Sequence, residues 1–239
     1  MKKIAIIIPT YNEHENILIL LNKLSKLKYI KTIIIIDDSN NDLTKQKIKK
    51  SKIKVKYYKR SKKLGRGSAV LFGIKKIIKK LLDNDLIVEM DADLSHNPNE
   101  LSRNIKFFIK NKTDLLISSR YLKGSKIINW GLKRKLLSRM SNILAKFFLN
   151  VPVSDYTNGF RIYNKKSAKL ILKKCGRIGE GFIILSEILI CIHTSGLKIN
   201  EIKTIFVNRV RGESSVNFKL ILNSLTGLIK LYLIKKNYL

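Results

Sequence analysis

An α/β fold with a mainly parallel central sheet and flanking helices is what the sequence predicts, on two observations. Short apolar, β-branched runs alternate with helix-period segments as far as residue 120. Several of these runs end abruptly in polar or acidic turns, as strands buried on both faces do. Composition agrees. The 239 residues are 45% hydrophobic, enough apolar area to offset chain entropy. That length suits one large domain, or one domain with an appendage.

The elements follow in order. Ile4–Ile8 reads as a buried strand, stopped by Pro9. Glu15 to Lys28 has helical spacing in Ile17, Leu20, Leu21, Leu24 and Leu27. Ile33–Ile36 is a second buried strand, and Val55–Tyr58 a weaker one. Gly67 to Leu82 reads as a helix, Leu86–Met90 as a strand, and Asn97-Pro98 as the opening of a further helix. Leu115–Ser118 is another strand. The second half is richer in helix, over Leu132–Leu149, Lys165–Lys174 and Phe182–His193, with a late strand at Ile202–Val207. Phe218–Tyr232 places Phe218, Ile221, Leu222, Leu225, Leu228, Ile229 and Tyr232 on one face, an amphipathic helix that packs on the domain or lies at a membrane surface. The boundary is set at residues 1–217 for the main domain and 218–239 for this helix.

Two cysteines, Cys175 and Cys191, are too few for a disulfide framework or a Cys-based zinc site. No apolar run reaches the roughly 20 residues of a bilayer span, and Ile4–Ile8 is shorter than the core of a signal peptide. A cytoplasmic protein is therefore expected. The charge is extreme: 49 Lys+Arg against 17 Asp+Glu, a net +32. It suits nucleic acid, an anionic membrane surface or phosphorylated substrates, and compositional drift toward Lys is the alternative. No nucleic-acid motif is present, and the aromatics do not interleave with the basic residues as a stacking platform requires. No nucleic-acid partner is expected.

Four groups of residues could carry chemistry. Asp91-Ala92-Asp93 follows the Leu86–Met90 strand. Two carboxylates at i and i+2 on an extended exit point the same way and can hold Mg²⁺ or Mn²⁺ through oxygen; a solvated turn capping a helix is the alternative. Asp37-Asp38 ends the second strand likewise. It could accept hydrogen bonds from ribose hydroxyls or a base edge, or it could cap a helix. Arg134 and Ser138 are four apart on one helical face and could share a phosphate, or belong to a solvated basic face. Arg209–Ser215 is a polar segment between strand and helix that could close over a ligand. By contrast, Gly65-Arg66-Gly67-Ser68 fails both the dinucleotide and the P-loop patterns and reads as a loop entering a helix. His14, His96 and His193 have no catalytic or metal spacing.

Taken together, Pro9-Thr10-Tyr11-Asn12-Glu13, Asp37-Asp38-Ser39, Asp91 through Pro98, Ser119 through Gly124 and Arg209 through Ser214 resemble, in order, the family 2 glycosyltransferases. The resemblance is strongest to polyprenyl-phosphate (dolichyl-phosphate) mannose synthases. It implies a GT-A fold and metal-dependent, inverting transfer of a hexose, with GDP-mannose the implied nucleotide sugar and a polyprenyl or dolichyl phosphate the acceptor. It implies donor contacts at Pro9, Tyr11, Glu13, Ile36, Asp37, Asp38, Ala92, Arg209 and Ser215. Asp91, Asp93 and Ser95 match the metal site, Asp93 and Arg120 the catalytic positions, and Arg134 and Ser138 the acceptor-phosphate site. It also implies work at the cytoplasmic face of a membrane, peripheral to an anionic surface, and admits a membrane-anchoring partner subunit. A saccharide acceptor, or a non-catalytic polyanion-binding protein, are the alternatives.

Overall fold

The computed structural model describes residues 3–179, 181, 183–212 and 218–238. Strands β1 (Ile4–Thr10), β2 (Ile30–Asp37), β3 (Val55–Lys59), β4 (Leu86–Glu89), β5 (Leu115–Ser119), β7 (Arg161–Asn164) and β8 (Ile199–Lys203) form one sheet in the order β3-β2-β1-β4-β7-β5-β8. Only β7 runs antiparallel to its neighbours. Strands β6 (Lys126–Ile128) and β9 (Ile205–Val207) make a small second sheet.

Period-two alternation explains the isoleucine runs. Ala5, Ile7, Ile34 and Ile36 point into one core. It is closed by helices α3 (Arg66–Ile77), α6 (Lys165–Lys174), α7 (Ile183–Thr194) and α8 (Phe218–Ile234). Ile4, Ile6, Ile8, Ile33 and Ile35 point into the other, under α1 (Ile17–Leu24), α2 (Leu43–Lys49) and α4 (Leu101–Lys110). Both faces are covered, so neither can be polar. The Gly65 segment enters α3 as expected. Gly65 has φ +85°, and a Cβ on Gly73 would lie 2.6 Å from Ile7, so the glycine lets the helix approach β1.

Three differences from the expected elements have physical causes. Helix α2 leaves no apolar stripe in the sequence, because its Leu-Thr-Lys-Gln-Lys-Ile-Lys run buries only Thr44 and Ile48. Strand β7 carries Arg161, which is fully buried and donates to the carbonyls of Tyr156, Asn158 and Leu185. A charged residue in four positions hides the strand. The late strand splits at Thr204 into β8 and β9. Thr204 Oγ1 and the Ile205 N–H both bond the buried Glu100 carboxylate, at 2.5 and 3.0 Å, and the chain moves to the second sheet. The C-terminal helix packs on the domain, one of the two placements the sequence left open. Leu228 and Leu231 join the main core, and a Cβ on Gly227 would lie 2.9 Å from Ile183.

The apolar surface also differs from expectation. Helix α5 (Leu132–Leu149) exposes Leu132, Leu136, Met140, Ile143 and Phe147, the first at 84% and the last at 79%. Along α8, Ile229, Tyr232 and Leu233 are exposed. The side chains of Phe218, Ile221 and Leu222 lie outside the described residues. Among the described residues no helix is long and apolar enough to cross a membrane.

Candidate active site

The site lies beyond the carboxyl ends of β1, β2 and β4, where parallel sheets bind ligands. Asp91 leaves β4 with its N–H donating to His96 Nδ1 at 3.0 Å; His96 Nε2 lies 2.9 Å from Asn158 Oδ1, and the ring stacks on Phe160. With Nδ1 accepting, Nε2 carries the proton. Both nitrogens are committed to structure. Asp91 Oδ1 accepts from Arg66 Nε at 2.8 Å. The Arg66 guanidinium also pairs with the fully buried Glu89 and donates to Gly159 O. Burial works to raise the Asp91 carboxyl, but the Arg66 guanidinium above all outweighs it, with Arg209 adding to the effect, and the net shift is downward. Asp91 is therefore an anion.

Asp93 Oδ1 accepts from the Ser95 N–H at 3.0 Å and from Ser95 Oγ at 2.6 Å, and Oδ2 pairs with Arg209 at 2.9 Å. These two bonds hold Ser95, expected at the metal site, directly against the Asp93 carboxylate. Arg209 also lies 3.7 Å from Glu13. Glu13 is pushed up to about 7, first by burial, then by the Asp93 and Asp91 charges, against a hydrogen bond from Asn16 and the Arg209 charge. Among the described residues no three His, Cys, Asp or Glu side chains form a metal cage. Two adjacent carboxylates are nonetheless a fitting donor set for a hard divalent ion, since Mg²⁺ is usually held by one or two carboxylates together with substrate phosphates.

On the donor side the expected residues divide. Asp37 is fully buried; Oδ1 accepts from the Ser39 N–H and hydroxyl at 3.1 and 2.5 Å, and Oδ2 from Tyr57 at 2.7 Å. Asp38 is gripped by Arg60 at 2.5 and 2.7 Å and by the N–H groups of Leu64 and Gly65. Both carboxylates build the loop platform before they can serve a nucleotide. The Ile36 and Ala92 side chains sit in the two cores, so their backbones are what they can offer a ligand. Pro9 and Tyr11 are partly exposed, and Lys63 Nζ lies 3.8 Å above the Tyr11 ring. Ser215 lies outside the described residues.

Arg120, Arg134 and Ser138 do come together. Arg120 is buried and bonds Asp155 twice, at 2.8 and 2.7 Å, with a third bond to Thr157. Burial depresses its pKa, but Asp155 reverses this and holds the guanidinium protonated. Arg134 donates to Asn208 at 2.9 Å and stacks on Trp130, 4.2 Å from the ring centroid. Ser138 Oγ accepts from the Tyr121 hydroxyl at 2.7 Å, which leaves its own proton to donate.

These residues share one cavity of about 240 Å³. One part is polar: Asp91, Asp93, Arg120, Arg134, Ser138 and Arg209. The other is mostly apolar: Leu137, Ala145, Ile183, Leu225 and Leu228, from α5, α7 and α8. Arg134 to Ala145 is eleven residues of α5, roughly 16 Å at 1.5 Å per residue. The sequence does not mark Arg66 or Asp155 as site residues, because each acts through a partner 25 or 35 residues away in the chain, and a lone tryptophan such as Trp130 carries no local pattern. The Gly65-Arg66-Gly67 segment alone gave a signal.

Known proteins resemble this chain in sequence and in fold. The glycosyl transferase family 2 model matches residues 5–172. The chain is 36% identical over 237 residues to a dolichol-phosphate mannosyltransferase of Pyrococcus furiosus, covering 96% of this chain and 63% of that protein. It is 29% identical to a polyprenol monophosphomannose synthase of Mycolicibacterium smegmatis, covering 90% and 82%. The chain thus spans under two thirds of the Pyrococcus relative. The fold superposes on Mycobacterium tuberculosis glucosyl-3-phosphoglycerate synthase, solved with phosphoglyceric acid, at a TM-score of 0.68 and 16% identity, over 96% of this chain and 79% of that one. A complex of that enzyme with Mn²⁺, UDP-glucose and phosphoglyceric acid gives 0.67, at 16% identity over 97% and 80%. With a GT-A-like fold and a model match across most of its length, the chain belongs to glycosyl transferase family 2.

Proposed function

We propose that this protein transfers mannose from GDP-mannose to a polyprenyl or dolichyl phosphate, with inversion and with Mg²⁺ or Mn²⁺. One observation carries the reading: a single cavity joins a carboxylate-and-arginine part to an apolar part between α5, α7 and α8. A saccharide acceptor needs no apolar extension; a lipid phosphate does. The names of the Pyrococcus and Mycolicibacterium relatives support the same acceptor class, and Mn²⁺ in the M. tuberculosis complex supports a divalent ion.

Asp91 and Asp93 would hold the ion, which when bound neutralises the nucleoside-diphosphate leaving group. Arg209 adds positive charge beside Asp93. Arg120 and Arg134 hold the acceptor phosphate and offset its repulsion from the diphosphate. An oxygen of that phosphate bonds the anomeric carbon. The carbon–oxygen bond to the diphosphate breaks on the opposite face and the diphosphate leaves with the electron pair. A phosphate monoester is already ionised at neutral pH, so no base is required. The committed nitrogens of His96 accord with that.

The exposed faces of α5 and α8 would rest on an anionic bilayer, so that the lipid tail stays in the membrane. A membrane-anchoring partner could share that work. The test is a transfer screen of GDP- and UDP-sugars onto a short polyprenyl phosphate and onto free glycans, with and without EDTA. EDTA-sensitive transfer from GDP-mannose to the lipid phosphate supports the reading. Transfer only to glycans replaces it with the saccharide alternative.

A further inference from the structure

Trp130 joins β6 to α5 and is the chain's single tryptophan. It is 8% exposed and lines the cavity. Its indole Nε1 is buried and has no hydrogen-bond partner among the described residues. A buried donor left unmade costs on the order of 1–3 kcal/mol, so such a group calls for a reason. Apolar packing does not supply one: a phenylalanine would make the same ring contacts with Phe206, 5.2 Å edge to face, and with Arg134.

The neighbours indicate the reason. The Arg134 and Arg120 guanidinium carbons lie 4.2 and 5.5 Å from the Trp130 ring centroid. Arginine and the indole are donors only. Three donor-only groups along one wall favour a ligand that only accepts, and a phosphate does so where a hydroxyl must also donate. We propose that the Trp130 indole N–H hydrogen-bonds a phosphate oxygen of the substrate gripped by Arg134. This rests on the lipid-phosphate reading above for its preferred source, the acceptor monophosphate; the donor diphosphate is the other source of the same chemistry.

Trp130→Phe keeps the ring and deletes the N–H. Calorimetry would compare wild type and variant with geranyl monophosphate, with phosphate-free geraniol, and with GDP plus Mn²⁺. Affinity for geranyl monophosphate should fall tenfold or more, with geraniol unchanged, as expected for losing a charge-assisted hydrogen bond. A loss confined to GDP–Mn²⁺ keeps the inference and assigns the bond to the donor. Affinities within twofold for both phosphate ligands overturn it. Wild-type fluorescence from the single tryptophan gives a readout independent of how the variant folds. It should shift with a phosphate ligand and not with geraniol; no shift at saturation with either phosphate ligand also overturns the inference. If wild type binds geranyl monophosphate no better than geraniol while the GDP–Mn²⁺ loss persists, the acceptor reading fails and the Trp130 inference stands.

Discussion

At the scale of single residues, the site is a set of carboxylates held by arginines: Asp91 by Arg66, Asp93 by Arg209, Asp155 by Arg120. Glu13 is the member left near neutrality. Its pKa rises from 4.5 to about 7 on folding. The folded state therefore binds the proton more tightly than the unfolded one. Glu13's contribution is full below pH 4.5 and lost as pH rises through about 7. Melting curves in EDTA should show wild type falling relative to Glu13→Gln across that window; parallel curves would remove Glu13 from the account. Arg134 gives a second residue-level expectation. Arg134→Ala should raise KM for polyprenyl phosphate about ten- to a hundredfold, the equivalent of roughly 1.5–3 kcal/mol for one charge-assisted contact. KM for the nucleotide sugar should change little. Equal effects on both substrates would place Arg134 at the donor.

At the scale of elements, α5 does two tasks with two faces. Arg134, Ser138, Ser141 and Ala145 line the cavity, while Leu136, Met140, Ile143 and Phe147 face outward. Removing a large apolar side chain from water is worth roughly 1.5–3 kcal/mol when complete, against about 1 kcal/mol per basic residue near an anionic surface. Leu136→Glu with Phe147→Glu should therefore cut vesicle binding sharply while leaving the melting temperature near wild type, since both residues are exposed. Unchanged vesicle binding would move the docking surface elsewhere. The doubly buried strands and the Asp91-Ala92-Asp93 turn were legible in the sequence because burial on both faces and strand-end acids leave local patterns. The outward face of α5 was not, because periodicity alone cannot tell which apolar residues find a partner. Nor were Arg66 and Asp155, whose pairing with Asp91 and Arg120 spans 25 and 35 residues. The split at Thr204 was hidden for the same reason, since Glu100 sits 104 residues away.

At the scale of the molecule, the net charge of +32 surrounds a cavity whose proposed ligands are both anionic. Surface attraction of this kind decays within about 8 Å at physiological salt. Sedimentation with anionic vesicles should exceed that with neutral ones at low salt and weaken as salt rises, leaving the part contributed by α5. Equal binding to both vesicle types would make the charge incidental. The central claim, that one cavity brings a sugar donor to a lipid phosphate across a metal-holding carboxylate pair, is tested most directly by mannosyl transfer from GDP-mannose with Mn²⁺. The acceptors are a polyprenyl phosphate and the phosphate-free polyprenol of equal length, for wild type and Asp93→Asn. The account predicts product only with wild type and only on the phosphate. Transfer to the polyprenol, or full activity in Asp93→Asn, would contradict it.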